Sequence, residues 1–376
     1  NVAGQALAAN NWGRALDLLN RQRPGPGQED LRGWEWRYLW QQLRSDALVT
    51  LCRQSSEINS LAVSPNGSLL AIGTRHQGGV SVWDLGARRE VVRLGEGESY
   101  ALAAFSPTEP LLAMVSLPPA ASGQGQSRLR LWNSATRQVV GEFPIESDSV
   151  GLAFSKDGRL LATSALSSLK DGRENSGGVI TLWRMPGGTK LSSFPSQQSG
   201  TDPGVPFACS DDLSVAAYAS PGGRVRVVDL HDGKELWNAV AAEEYVTALA
   251  FSSDGKILAT GPGFAQSDIR LWDVGSGRQI GQLTGHSSWI SSMVFWPDGK
   301  RLASSSADQT VRIWDLASHK CLDILRGHRQ EVWRVALLPD GKTLVSGSKD
   351  GTVCFWDTSV PHPREPHLAL PEKVLD

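Results

Sequence analysis

The chain has 376 residues, of which 40% are hydrophobic and 20% charged, with a formal net charge of −2. That balance excludes a mainly disordered chain, which could not bury enough apolar surface. It also excludes a nucleic-acid binder working by bulk electrostatics, which needs a basic excess.

No apolar run approaches the roughly 18–20 residues of a membrane span. The chain starts at Asn1 with no charged-then-apolar leader, which reads as an internal or C-terminal piece of a longer protein. At roughly 100–200 residues per domain, the length suggests two or three domains. Cys52, Cys209, Cys321 and Cys354 lie far apart without metal-ligand spacing, so free thiols are expected and no metal or other cofactor is. The odd item is tryptophan, 14 against 4 tyrosines.

Residues 1–46 read as a helical linker. Alanine and leucine recur at helical spacing from Ala6 to Leu19, and Pro24-Gly25-Pro26-Gly27 breaks the pattern. A second helix is expected from Leu31 to Leu43, N-capped by Asp30. Its Trp34, Trp36, Tyr38 and Trp40 point to burial on more than one face, against the rim of the repeat region that begins at residue 47.

From residue 47 to 360 the chain repeats. Trp83-Asp84, Trp132-Asn133, Trp183-Arg184, Trp272-Asp273, Trp314-Asp315 and Trp356-Asp357 each end a run with alternating apolar residues. Val228-Asp229 is a seventh member without its tryptophan, and the successive spacings are 49, 51, 45, 44, 42 and 42 residues. Each unit opens with an apolar run and a tight turn, as in Pro65-Asn66-Gly67 or Pro339-Asp340-Gly341. Asn-Gly and Asp-Gly tolerate the positive φ of such turns. Three more short strands complete the unit, of which the middle one ends in Trp-Asp. Four antiparallel strands per unit of about 45 residues make one propeller blade. The seventh unit has only three strands before Pro361, Pro363 and Pro366 of the proline-rich tail, residues 361–376. Residues 48–51 (Leu48-Val49-Thr50-Leu51) are therefore expected to supply its fourth strand and close the ring. In that register Cys52 and Cys354 are not opposite each other, so no disulfide is expected.

These motifs resemble WD-repeat β-propellers, over roughly residues 47–360. The expected fold is all-β: a seven-bladed propeller of four-stranded antiparallel blades, preceded by a short α-helical hairpin. The last two repeats fit best, with Gly285-His286 and Gly327-His328 ahead of their first strands. The run from Gly27 to Trp40 resembles the linker before WD-repeat regions in large bacterial signalling proteins, many of which carry a serine/threonine protein kinase domain upstream. The helical piece also resembles the end of a tetratricopeptide-type repeat. No kinase motif occurs in these residues.

Two sets of side chains stand out. His286, Ser304, Asp308 and Trp314 recur in the next repeat as His328, Ser346, Asp350 and Trp356. A Ser/His/Asp nucleophile would use the same residue types, but no oxyanion donor is evident and the set is duplicated. The resemblance implies a buried chain of hydrogen bonds from Trp through Ser and His to Asp. Repeats one to five lack the full set and are expected to rely on packing alone.

The second set concerns a partner. Residues at the start of the first strands can be aligned as Asn59, Ala101, Gly151, Pro206, Thr247, Ser291 and Trp333. With the positions two earlier, aromatics appear only in repeats five to seven, as Tyr245, Trp289 and Trp333. They are expected on adjacent blades of one face, where they either anchor a peptide or pack on neighbouring loops. Arg329 and Lys349 add positive charge beside them. Long loops at Ser116–Arg128, Ser164–Gly178 and Gly261–Asp268 enlarge the same face.

The expected function is a non-enzymatic platform for protein partners, without nucleic acid and monomeric, as part of a larger bacterial signalling protein. The alternatives are a propeller-type hydrolase or lyase with a site at the channel mouth, and a purely structural domain. Sequence alone assigns no compartment.

Overall fold

Alternation of buried and half-buried residues, as in Ile58–Val63, marks a strand with one face against each neighbouring blade. A computed structural model describes residues 2–8, 12–22, 46–117, 127–145, 148–166, 178–196, 206–263 and 266–359, with Pro24, Gly33 and Trp36.

Helices α1 (Val2–Ala8) and α2 (Trp12–Asn20) pack as a hairpin. What the sequence suggested as one helical stretch from Ala6 to Leu19 is thus two helices. Of the expected helix 31–43, only Gly33 and Trp36 are within the described residues. Trp36 is buried with Ala3 and Leu19, and its indole donates to the Leu19 carbonyl at 2.9 Å. These contacts tie it to the hairpin; the expected packing of the rest of that helix on the propeller rim lies outside the described residues.

Strand β1 (Val49–Arg53) comes next, then blade one: β2 (Ile58–Val63), β3 (Leu69–Thr74), β4 (Val80–Asp84) and β5 (Arg89–Leu94). Blade two is β6 (Ser99–Phe105), β7 (Leu111–Leu117), β8 (Arg128–Asn133) and β9 (Gln138–Pro144). Blade three is β10 (Asp148–Phe154), β11 (Leu160–Leu166), β12 (Gly178–Arg184) and β13 (Thr189–Ser196). Blade four is β14 (Phe207–Cys209), β15 (Val215–Ser220), β16 (Arg224–Asp229) and β17 (Glu235–Val240). Blade five is β18 (Val246–Phe251), β19 (Ile257–Pro262), β20 (Ile269–Asp273) and β21 (Gln279–Leu283). Blade six is β22 (Ile290–Phe295), β23 (Arg301–Ser306), β24 (Thr310–Asp315) and β25 (Lys320–Arg326). Blade seven holds β26 (Val332–Leu337), β27 (Thr343–Ser348) and β28 (Thr352–Asp357), and β1 pairs antiparallel with β28. The chain is thus a seven-bladed propeller of four-stranded antiparallel sheets, closed by its own N-terminal strand. Thr50 faces Cys354 and Cys52 faces Val353, and all four cysteines are free. The tail 361–376 lies outside the described residues.

The core sits between blades rather than within them. Ala71, Val80 and Val82 of blade one pack against Leu112, Met114 and Trp132 of blade two. The second strands also approach the next blade closely. A Cβ added to Gly73 would lie 2.2 Å from the carbonyl oxygen of Ala101, which is backbone and cannot swing aside. Gly73→Ala is expected to cost about 1–3 kcal/mol in urea unfolding, as overpacking does. Gly86→Ala, in an exposed turn where the nearest atom is 3.5 Å away, serves as the near-neutral control.

The first strands contact one another around the ring and form the channel wall. Their register skips one residue at Asn59, Val150, Thr247, Ser291 and Trp333, and two residues in blade two, Tyr100 and Ala101. Such bulges re-aim side chains and carbonyls. Here they stitch blades together: Thr247 Oγ1 donates to the Ile290 carbonyl at 2.6 Å, and Ser291 Oγ donates to that of Val332.

Candidate interaction face

In blade six the Trp314 indole donates to Ser304 Oγ at 2.8 Å, and Ser304 Oγ lies 2.8 Å from His286 Nε2. His286 Nδ1 lies 2.7 Å from Asp308 Oδ2. A carboxylate only accepts, so the neutral ring carries its proton on Nδ1 and receives the Ser304 hydroxyl at Nε2. Burial pushes the Asp308 carboxyl up, but donors from His286, Thr310 and the Ser287 backbone outweigh it and hold the pKa at about 2. Burial lowers the His286 pKa, so the ring is neutral at pH 7. Ser304 and Ser346 have no exposed surface, so neither hydroxyl can meet a substrate as packed.

Blade seven differs at the last link. Trp356 donates to Ser346 at 2.7 Å, and His328 Nε2 lies 2.6 Å from the same hydroxyl. His328 Nδ1, however, meets Thr352 Oγ1 at 2.9 Å and stands 3.8 Å from Asp350 Oδ2. Thr352 then donates to Asp350 Oδ1, so threonine relays the link that sequence alone drew directly. Burial pushes the Asp350 carboxyl up, and its donors more than reverse this, leaving it well below the usual range.

The expectation that repeats one to five use packing alone is corrected. The residue at the Ser304 position is Thr163 in blade three and Thr260 in blade five, and each accepts from its tryptophan, Trp183 at 2.9 Å and Trp272 at 3.0 Å. In blade one Trp83 donates to Ser81 at 3.2 Å. Blade two places Met114 there, and the buried Trp132 nitrogen has no partner among the described residues. That blade relies on Glu98, which receives Arg130 Nη2 at 2.7 Å and the Ser116 hydroxyl. The sequence signal was available: threonine offers the same acceptor as serine.

The residues singled out for a partner fall into two groups. Tyr245 is 58% exposed, Trp289 is half-buried and Arg329 is exposed. Trp333 is only 9% exposed, its indole donates to Glu331 Oε2 at 2.9 Å, and Lys349 pairs with Glu331 Oε1 at 3.2 Å. Trp333 faces blades one and two: the Arg75 guanidinium stacks 5.0 Å from its ring and 5.3 Å from that of Tyr100. The Tyr100 ring meets His76 edge-on at 6.1 Å, and His76 approaches Glu57 at 3.6 Å. A cleft of about 740 Å³ opens beside this row, lined by Arg53, Ser56, Glu57, His76, Lys349 and Asp350.

Tyr100 is the residue that sequence reasoning missed. It holds φ at +51°, uncommon for a bulky side chain, and its amide donates to the Arg75 carbonyl at 2.8 Å. The double bulge in blade two shifted it out of a series aligned on Ala101. Most of the long loops, residues 118–126 and 167–177, lie outside the described residues.

Four stretches match the family model described as WD domain, G-beta repeat: residues 46–84, 236–273, 277–315 and 319–357. Each begins near or within the fourth strand of one blade and ends on the third strand of the next, the same offset that closes the ring. The chain thus carries WD40 repeats in a seven-bladed β-propeller, a fold commonly used for protein–protein interaction and generally non-enzymatic. No curated protein matches it. Among the described residues, no helix is long and apolar enough to cross a membrane, and no group of His, Cys, Asp or Glu is arranged to hold a metal.

Proposed function

We propose that the chain is a non-enzymatic docking module that binds a peptide segment of a protein partner across blades seven, one and two. The observation that carries this reading is the Trp333–Arg75–Tyr100 row beside an open cleft. Aromatics and arginine, partly desolvated and at Tyr100 held at positive φ, are the residue types that anchor interfaces. Tyr245, Trp289 and Arg329 extend the contact toward blades five and six. The module is the docking end of a larger bacterial signalling protein, a context supported by the resemblance of residues 27–40 to the linkers of such proteins.

A displayed peptide library selected on the whole chain tests this. Tyr100→Ala and Lys349→Glu are each expected to weaken the selected peptides about tenfold or more. Leu236→Ala, an exposed residue on the outer strand of blade four, should leave binding unchanged. Peptides that bind all three variants like the parent chain would refute the placement.

A further inference from the structure

Arg334, in the first strand of blade seven, reaches across the channel wall. Its Nε donates to the Asn59 carbonyl at 2.6 Å, and its Nη1 donates to the carbonyls of Trp333 at 3.0 Å and Ser291 at 3.3 Å. Those three acceptors are the bulge residues of blades one, seven and six, so the guanidinium is fixed to three consecutive blades. All are neutral. Among the described residues no carboxylate pairs with Arg334 and no acceptor meets its Nη2, and the side chain is only half-buried.

A desolvated cation normally has an anionic partner, because carbonyl dipoles replace only part of its lost hydration. Here the neighbouring charge has the same sign. Arg75 stacks on the ring of Trp333, whose carbonyl Arg334 holds. Burial and then the Arg75 charge push the Arg334 pKa down to about 10, which still leaves it ionised at pH 7. The acids nearby have partners of their own: Glu331 takes Lys349 and the Trp333 indole, and Glu57 takes the Ser56 hydroxyl and approaches His76. The mouth of the channel therefore presents a preset guanidinium, a second one beside it, and aromatic walls.

We infer that Arg334 and Arg75 form a receptor for a carboxylate, supplied by a glutamate or aspartate side chain of the docked peptide. This rests on the docking of a peptide at the Trp333–Arg75–Tyr100 row and adds the chemistry of the ligand. The planar fork of arginine suits a carboxylate's two oxygens. An incoming carboxylate relieves the repulsion between both guanidiniums, whereas a neutral amide cannot.

The test uses an array of peptides, each carrying one glutamate in a varied context beside its glutamine twin, probed with the whole chain. Bound peptides are expected to favour glutamate by about 10–100-fold, as close charge pairs at interfaces do. Arg334→Met should erase that preference and Arg75→Gln should reduce it. If Arg334→Met does not fold, the Arg75→Gln chain decides the matter. Glutamine twins that bind as well as their glutamate partners would overturn the inference, as would a preference that survives both variants. Peptides that depend on Tyr100 but ignore the glutamate would sink the carboxylate receptor and leave the docking surface standing. Failure of every peptide to bind would sink both.

Discussion

A chain cut to begin at Gln54 is expected to lose its closed ring. Strand β1 supplies the fourth strand of blade seven through Val49 opposite Phe355 and Thr50 opposite Cys354. Hydrogen bonds beyond the strand extend the clasp: Leu48 N donates to Phe355 O at 2.8 Å, Asp46 N to Arg326 O at 2.7 Å, and Arg326 N to Asp46 Oδ2 at 2.8 Å. Val49 and Leu51 also cover the cluster of Ile58, Leu70, Val345 and Phe355 at the seam of blades seven and one. Removing all of this leaves β28, Thr-Val-Cys-Phe-Trp-Asp, as an unpaired apolar edge, the kind that templates aggregation. At about 0.5–1.5 kcal/mol per hydrogen bond, plus the apolar burial, the loss is a large share of the about 5–15 kcal/mol a domain holds. Size-exclusion chromatography should show oligomers, and thermal unfolding a lower, broader transition. Adding a peptide of residues 46–53 should restore part of both. A monomeric truncated chain with an unchanged melting temperature would refute the role of the clasp.

The closing strand was legible because it comes from counting. Three strands in the last repeat and one orphan ahead of the first leave one arrangement that removes both edges. The blades were legible for a similar reason, since the period and the terminal tryptophans are local signals repeated along the chain. The proposed docking row was not. It is built from bulges, and a bulge inserts a residue without changing composition or hydrophobic pattern. An alignment that assumes one skipped residue per blade reads Ala101 where the structure presents Tyr100, so the aromatic sector was drawn over blades five to seven. Trp333 belongs to it, yet turns toward Arg75 across the closing seam. Arg334 was invisible for another reason: its meaning depends on three carbonyls contributed by residues as distant as Asn59.

The two duplicated networks are expected to differ in strength, although their sequences look equivalent. In blade six the imidazole of His286 contacts the carboxylate directly, and Asp308 is buried. His286→Ala takes away that direct donor and the acceptor of the Ser304 hydroxyl, at about 2–4 kcal/mol, although the Thr310 amide and hydroxyl and the Ser287 amide still bind Asp308. In blade seven Thr352 stands between His328 and Asp350, and Asp350 keeps its bonds from the Thr352 amide and hydroxyl and from the Arg329 amide when the ring is removed. His328→Ala should therefore cost less, about 1–3 kcal/mol. The pH dependence separates the networks further. The folded pKa of His286 lies below its ordinary 6.5, so the unfolded chain binds the proton first. That contribution is complete above 6.5 and falls as the pH drops below it. Asp308 acts in the same direction over a lower window: its stabilisation is complete above 3.8 and is lost as the pH falls toward about 2. Urea unfolding from pH 7 to pH 3 should then show the parent chain losing stability from about pH 6.5 downward. The His286→Ala chain, less stable at pH 7, should show a shallower slope over the first part of that range, because the residue that takes up the proton is gone. If His328→Ala costs as much as His286→Ala at pH 7, or the slope does not change, the direct imidazole–carboxylate contact contributes nothing that the threonine relay lacks.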